Sequence, residues 1–334
     1  MNYIGSKHKL SSFIKSAVYS VVGEDLSDKV FCDIFAGTGI VGRNFKTEVR
    51  KVIANDMEYY SYVLNKNYIG NHAKMTDSQH FIDKLNALPL IDGGFIYSNY
   101  CLGGGTERQY FSNDNGKKID TMRQKIEEWK NRNKISTNLY YFLLASLLEC
   151  ADKVANTASV YGAYLKQLKK SAQKELILQP ATYDLSDNEH QVFNTDSNLL
   201  ISQVEGDILY LDPPYNARQY GANYHLLNTI AKYDTFIPKG KTGLREYTKS
   251  NYCSASKVAD EFENLIKKAQ FRYIFLSYNN EGLMSVSTIT KIMQKYGKYD
   301  LAETSYQRFK ADKTEARNHK TDSTREYLHV LEKR

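Results

Sequence analysis

The sequence predicts an α/β fold: a doubly wound, mainly parallel sheet assembled from both ends of the chain, with an insertion between. Three observations predict it. Lys29–Phe35 is a short apolar run that leads into Ala36-Gly37-Thr38-Gly39-Ile40-Val41-Gly42, a glycine turn opening a helix-period segment. Asp207–Leu211 is a second apolar run, stopped by Asp212-Pro213-Pro214-Tyr215. Between them, residues 71–191 lose the alternation of strand and helix and become polar, glycine-broken and charged.

Taken in order, residues 8–22 place Leu10, Phe13, Ile14, Ala17, Val18 and Val21 at helical spacing. The strand at 29–35 and the glycine turn follow, then a strand at 51–56 that ends in an acid and a helix at 59–68. Within the insertion, 119–131 and 138–156 read as helices, the second more apolar. Strand character returns at 192–196 and 207–211. Helices are expected at 222–233, 257–269 and 287–296, and strands at 272–278, 304–309 and 326–331. The expected domains are therefore 1–70 with 192–334 for the sheet, and 71–191 for the insertion.

Composition narrows the function classes. The 334 residues carry 45 Lys+Arg against 38 Asp+Glu, a formal charge of +7 that suits an acidic polymer as partner. The four cysteines, Cys32, Cys101, Cys150 and Cys253, are far apart and form no CxxC pair. This argues against a structural zinc site or a disulfide framework and for a reducing, cytoplasmic setting. The amino terminus has no apolar signal-peptide core, and the apolar run 139–148 is too short to span a bilayer.

Gly37, Gly39 and Gly42 satisfy GxGxxG, and Asp56 lies 17 residues beyond Gly39 at the end of the next strand. That spacing suits an acid on ribose hydroxyls beside a turn that lets a ligand approach the backbone. Two ligands fit it, a dinucleotide or S-adenosylmethionine. Asp212-Pro213-Pro214-Tyr215 presents a carboxylate, a stiff turn with free carbonyls and an aromatic face at the end of a strand. This combination suits a planar substrate bearing an amino group. The competing reading is a strand-ending turn with a packed tyrosine.

Asp33 with Phe35-Ala36-Gly37-Thr38-Gly39, the later Asp212-Pro213-Pro214-Tyr215, and Tyr3-Ile4-Gly5-Ser6-Lys7 with Leu10 resemble the amino-methyltransferases of DNA. Their order, with a long insertion between the glycine motif and Asp212, is that of the Dam-like adenine-N6 enzymes, including those of type II restriction–modification systems. The segments 155–162, 216–220, 224–227 and 309–312 also look like that branch. The resemblance implies a Rossmann-like S-adenosylmethionine-dependent methyltransferase sheet, with 71–191 as the target-recognition region. It implies that Tyr3 and Lys7 hold the methionine part of the cofactor, that Asp33, Phe35, Gly37 and Gly39 line its turn, that Asp56 takes the ribose, and that Asp196 sits beside the adenine. Asp212, Pro213 and Tyr215 would be catalytic. The partner would be double-stranded DNA with a short site such as CATG, and a cognate restriction endonuclease would be a genetic partner.

Basic loops at 239–257 (net +4) and 306–325 (net +3) are expected to meet phosphates. Arg108 and Arg123 are candidates to read guanine, and Tyr220 and Tyr224 to receive a flipped base. The alternatives are a methyltransferase acting on cytosine-N4, RNA adenine or protein glutamine, a nicotinamide oxidoreductase, and a catalytically silent DNA-binding relative. No cysteine follows a proline, so a cytosine-C5 nucleophile is not expected.

Overall fold

The computed structural model describes residues 7–307 and 323–334. Seven strands form one sheet: β1 (Val30–Asp33), β2 (Lys51–Asn55), β3 (Gln191–Phe193), β4 (Glu205–Leu211), β5 (Gln270–Asn279), β6 (Gly297–Gln307) and β7 (Ser323–Lys333). Their order is β3-β2-β1-β4-β5-β7-β6, and only β7 runs against the others. The apolar runs account for this. β1 is buried along its whole length, and the last four residues of β4 are buried, as expected of parallel strands covered on both faces. The order reverses between β1 and β4, so the carboxyl ends of these two strands open the crevice where such sheets bind ligands.

The chain divides into two units. The sheet unit takes residues up to Met57, Ser186–Gln219 and Lys249–Arg334. Its core sets Cys32, Leu209, Leu211, Ile274 and Leu276 of the strands, with Ile34 just past β1, against Phe262, Leu265 and Ile266 of the helix Val258–Lys268. The helical unit takes Glu58–Leu185 and Tyr220–Thr248. It is wider than the expected insertion because Tyr59–Asn65 and His225–Lys232 pack with the helices between them rather than with the sheet. Asn228, for example, accepts from the Tyr60 amide. Thr137–Val154 is buried on nearly every side, as its apolar character predicts for a central helix. Ser136 and Ser112 cap this helix and its neighbour Asn113–Asn131 by accepting from Leu139 and Asn115. Among the described residues, no helix is long and apolar enough to cross a membrane.

Several expected boundaries move. Residues 7–10 form a 3-10 turn ahead of Ser11–Val22, and 66–70 continue Tyr59–Asn65 as a π-helical turn. The expected helix 222–233 is two pieces, Tyr220–Asn223 and His225–Lys232. β3 stops at Phe193, so Asp196 lies outside the strand.

Candidate active site

The glycine turn is formed as the sequence requires. Gly37 and Gly39 have φ of +52° and +79°, backbone values that strain a residue with a side chain. The Gly37 amide donates to Asp56 Oδ2 at 2.8 Å, and the Gly42 amide to Asp33 Oδ2 at 3.2 Å. The two acids at the ends of β1 and β2 therefore brace the turn from both sides. Asn55, which the sequence reading passed over, ties these ends together. Its amide donates to the Ile34 and Thr195 carbonyls, and its carbonyl accepts from the Thr195 amide. Asn194 donates in turn to the Asp56 and Met57 carbonyls.

Asp33 Oδ1 is buried and has no hydrogen-bond partner among the described residues. Burial pushes this carboxyl up to about 8. The neighbouring Asp212 and Asp56 raise it further, and the Gly42 amide only partly opposes them. A buried carboxyl oxygen left without a donor is costly unless a ligand supplies one. The ammonium of a methionine moiety is such a donor, and the braced, left-handed glycine turn beside it leaves the backbone open to close approach. These residues fit S-adenosylmethionine.

Asp196 caps the short helix Ser197–Leu200, its Oδ1 accepting from the Asn198 and Leu199 amides. Phe35 meets Tyr252 edge to face at 5.0 Å, and the Tyr252 hydroxyl donates to Asn198 Oδ1 at 2.8 Å. Phe35 and the Asp196 cap thus share one wall. Tyr252 was missed because it lies in a polar loop with no periodicity.

Asp212 follows β4 directly, with Pro213 buried and Tyr215 half-buried against the core. The Tyr215 carbonyl accepts from the Leu283 amide, which fixes the turn. Lys7 Nζ lies 3.0 Å from Asp212 Oδ1 and 2.9 Å from Glu326 Oε1. Glu326, on β7, also accepts from the Ser277 hydroxyl at 2.8 Å. The Lys7 ammonium is therefore committed to two carboxylates. Burial works against its charge, but Asp212 and Glu326 outweigh burial and hold it well above its ordinary pKa. Burial raises Asp212 to about 6, with Lys7 opposing the rise and Glu326 adding to it. Glu326 had no motif to mark it. The one sequence signal was an acid opening the apolar stretch Tyr327–Leu331.

The structure also separates candidates. Tyr3 lies outside the described residues, as does most of the basic loop 306–325. Tyr224 is fully buried between Tyr60 and Tyr161 and stacked on Tyr220, so it is a core residue and cannot receive a base. Arg123 is buried and donates to the Ile230 and Ala231 carbonyls, closing a helix end, so it is not free to read guanine. Arg108 is spent in the same way on the Asn99, Gly240 and Lys241 carbonyls. In the other basic loop, Arg245 is buried in a bidentate pair with Asp234.

A parallel sheet with one reversed strand, a braced glycine turn on β1 and an Asp-Pro-Pro-Tyr turn on β4 define an S-adenosylmethionine-dependent methyltransferase fold. Residues 3–292 match the family described as D12 class N6 adenine-specific DNA methyltransferase, and the chain belongs to that family. It is an adenine-specific DNA methyltransferase whose methyl donor is S-adenosyl-L-methionine. It is 65% identical over 333 residues to the type II methyltransferase M.NlaIII of Neisseria lactamica, covering 100% of this chain and 99% of that one. It is 39% identical to the type II methyltransferase M.CviAII of Paramecium bursaria Chlorella virus 1, with 93% of each chain covered. It is 38% identical to the type II methyltransferase M.FokI of Planomicrobium okeanokoites, of which it spans about half (53%).

Proposed function

We propose that this enzyme is the modification half of a type II restriction–modification system. It methylates N6 of adenine within one short duplex site and protects cytoplasmic DNA from a cognate endonuclease. The observation that carries the reaction is the placement of Asp212-Pro213-Pro214-Tyr215 at the carboxyl end of β4, next to the β1 strand that bears Asp33. The full-length similarity to type II methyltransferases supports the biological setting.

When bound, the cofactor supplies an electrophilic methyl group on a sulfonium. Asp33 receives its ammonium, Gly37 and Gly39 give it room, Asp56 takes the ribose hydroxyls, and Phe35 and Asp196 flank the adenine. Lys7 and Tyr3 complete the methionine end. Because the Lys7 ammonium already holds two carboxylates, its part there is to stabilise the local charge.

The adenine amine is a poor nucleophile because its lone pair is delocalised into the ring. Asp212, ionised above about pH 6, accepts one amine hydrogen, and the Pro213 carbonyl accepts the other. This draws the nitrogen toward tetrahedral geometry and frees its lone pair. The freed lone pair would take the methyl group that the bound cofactor supplies, and one amine proton would pass to bulk water. The Asp212 charge stabilises the positive charge that develops on nitrogen. Tyr215 stacks on the base, which must leave the duplex at a cost of a few kcal/mol. Exposed Lys241 and Lys249 are candidates for phosphate contacts.

Single-molecule sequencing of plasmid DNA exposed to the enzyme and cofactor tests both atom and site. The expected result is N6-methyladenine confined to one short sequence, which then resists cleavage by an endonuclease of that specificity. N4-methylcytosine, or efficient methylation of RNA with unmodified duplex DNA, would overturn the proposal.

A further inference from the structure

We propose that Glu326 is a positioning residue for methyl transfer, acting through Lys7 to hold the Asp212 carboxylate in place. This inference rests on the reading of Asp212 as the acceptor of the substrate amine.

Glu326 is only 4% exposed and closes the β5–β7 ladder, paired with Asn279. A carboxylate buried at the head of an apolar strand costs free energy unless it is paired and hydrogen-bonded. Here one oxygen, Oε1, takes both the Lys7 ammonium and the Ser277 hydroxyl. Lys7 comes from the short turn Lys7–Leu10 and joins Glu326 to Asp212 with contacts of 2.9 and 3.0 Å. A lysine stem is flexible, and a single contact to Asp212 would let the ammonium and the carboxylate drift together. The second contact, to a residue locked in the sheet, removes that freedom. Asp212 is thereby tied to β7 as well as to its own strand.

The cluster also carries a charge surplus. Two carboxylates share one ammonium, so Lys7 does not neutralise Asp212. The groups facing Asp212 are Lys7, Glu326, Tyr210 and Asp33. Among them, Glu326 is the anion that keeps the Lys7 charge divided. The negative excess suits the positive charge that develops on the attacking nitrogen.

The test compares Glu326→Gln, Ser277→Ala, Lys7→Met and Asp212→Asn in single-turnover methylation across pH. Cofactor and DNA affinities are measured in parallel, and thermal unfolding confirms a folded protein. Glu326→Gln keeps the shape but removes the charge. Its transfer rate should fall by about tenfold to a hundredfold, the scale of a small misplacement at a reacting group, with both affinities within a few-fold of wild type. The acid limb of its rate profile should move to lower pH, because the anion that raises Asp212 is gone. Lys7→Met should move that limb to higher pH. Ser277→Ala removes one anchor and no charge, so it should lower the rate by a few-fold and leave the limb in place, which a general loss of stability would not do. A Glu326→Gln enzyme with wild-type rate and an unmoved limb, alongside an inactive Asp212→Asn, would overturn this inference alone. An Asp212→Asn enzyme with wild-type rate would overturn the reading on which it rests.

Discussion

Asp120 in the helical unit and Asp33 in the sheet unit are both buried to within 1% exposure, yet their surroundings differ. Asp120 accepts the Ile96 and Tyr97 amides at the start of the helix Phe95–Tyr100 and a hydroxyl from Tyr233. Both of its oxygens are used, and burial raises it only to about 6. Asp33 accepts the Gly42 amide on Oδ2, keeps Oδ1 without a partner among the described residues, and rises to about 8. Arg123 repeats the first pattern, spent on two carbonyls at a helix end. Lys7, Asp212 and Glu326 repeat the second, with more carboxylate than ammonium. Buried charge is therefore a structural fastener where its partners are complete. It marks a ligand or reaction site where the count is left open.

The largest expected effect lies on the open side. Asp212→Ala should cut single-turnover methylation by about 10³-fold or more, the scale seen when a preorganised electrostatic partner is removed. Cofactor and DNA binding should persist, as isothermal titration can check. Turnover close to wild type would end its catalytic role.

Asp33→Asn should weaken cofactor binding by about tenfold to a hundredfold, because a charged hydrogen bond is worth about 1.5–3 kcal/mol. The same residue gives the pH dependence a sign. Its folded pKa, about 8, lies above the ordinary 3.8, so its contribution to stability is complete below the ordinary value and is lost as pH rises towards 8. The cofactor-free wild type should therefore lose stability over that window relative to Asp33→Asn, as thermal melts at several pH values would reveal. Cofactor affinity of the wild type should rise from about pH 6 towards 8 as Asp33 ionises, with proton release detectable by calorimetry in two buffers. A flat profile with no proton release would remove the ammonium partner assigned to Asp33.

On the closed side, Asp120→Ala strands two amides and a hydroxyl. It should destabilise the protein by about 3 kcal/mol in denaturant unfolding without changing the transfer rate of the remaining folded enzyme. A selective loss of rate would erase the contrast between the two units. The smallest effect is expected at exposed Lys241. Substitution with Ala should weaken DNA binding slightly and reduce the salt slope of log K by about one if it meets a phosphate. An unchanged slope would exclude that contact.

Much of the site was legible because its parts are local in the chain. The glycine turn follows directly from β1, Asp56 directly follows the next strand, and the two prolines stop β4. Burial runs and turn chemistry extend over only a few residues, so they reveal such features. Glu326 was not legible. Its partner Lys7 is 319 residues away, and nothing local distinguishes an acid at a buried strand head from one at an exposed edge. Arg108, Arg123 and Tyr224 show the converse. Their types suited DNA, but residue type does not say whether a side chain faces a groove or a neighbouring carbonyl.

The limits of the helical unit follow the same logic. Residues 71–191 were marked off by composition, whereas Glu58–Leu185 and Tyr220–Thr248 are joined by packing between segments distant in sequence. By itself the sequence determined the fold class, the order of the motifs and the chemistry available at the ends of β1 and β4, because short-range periodicity and backbone restriction encode them. Tertiary structure alone decided which buried charges were satisfied and which were left open. Compensation of a buried charge depends on groups that meet only after the chain has folded.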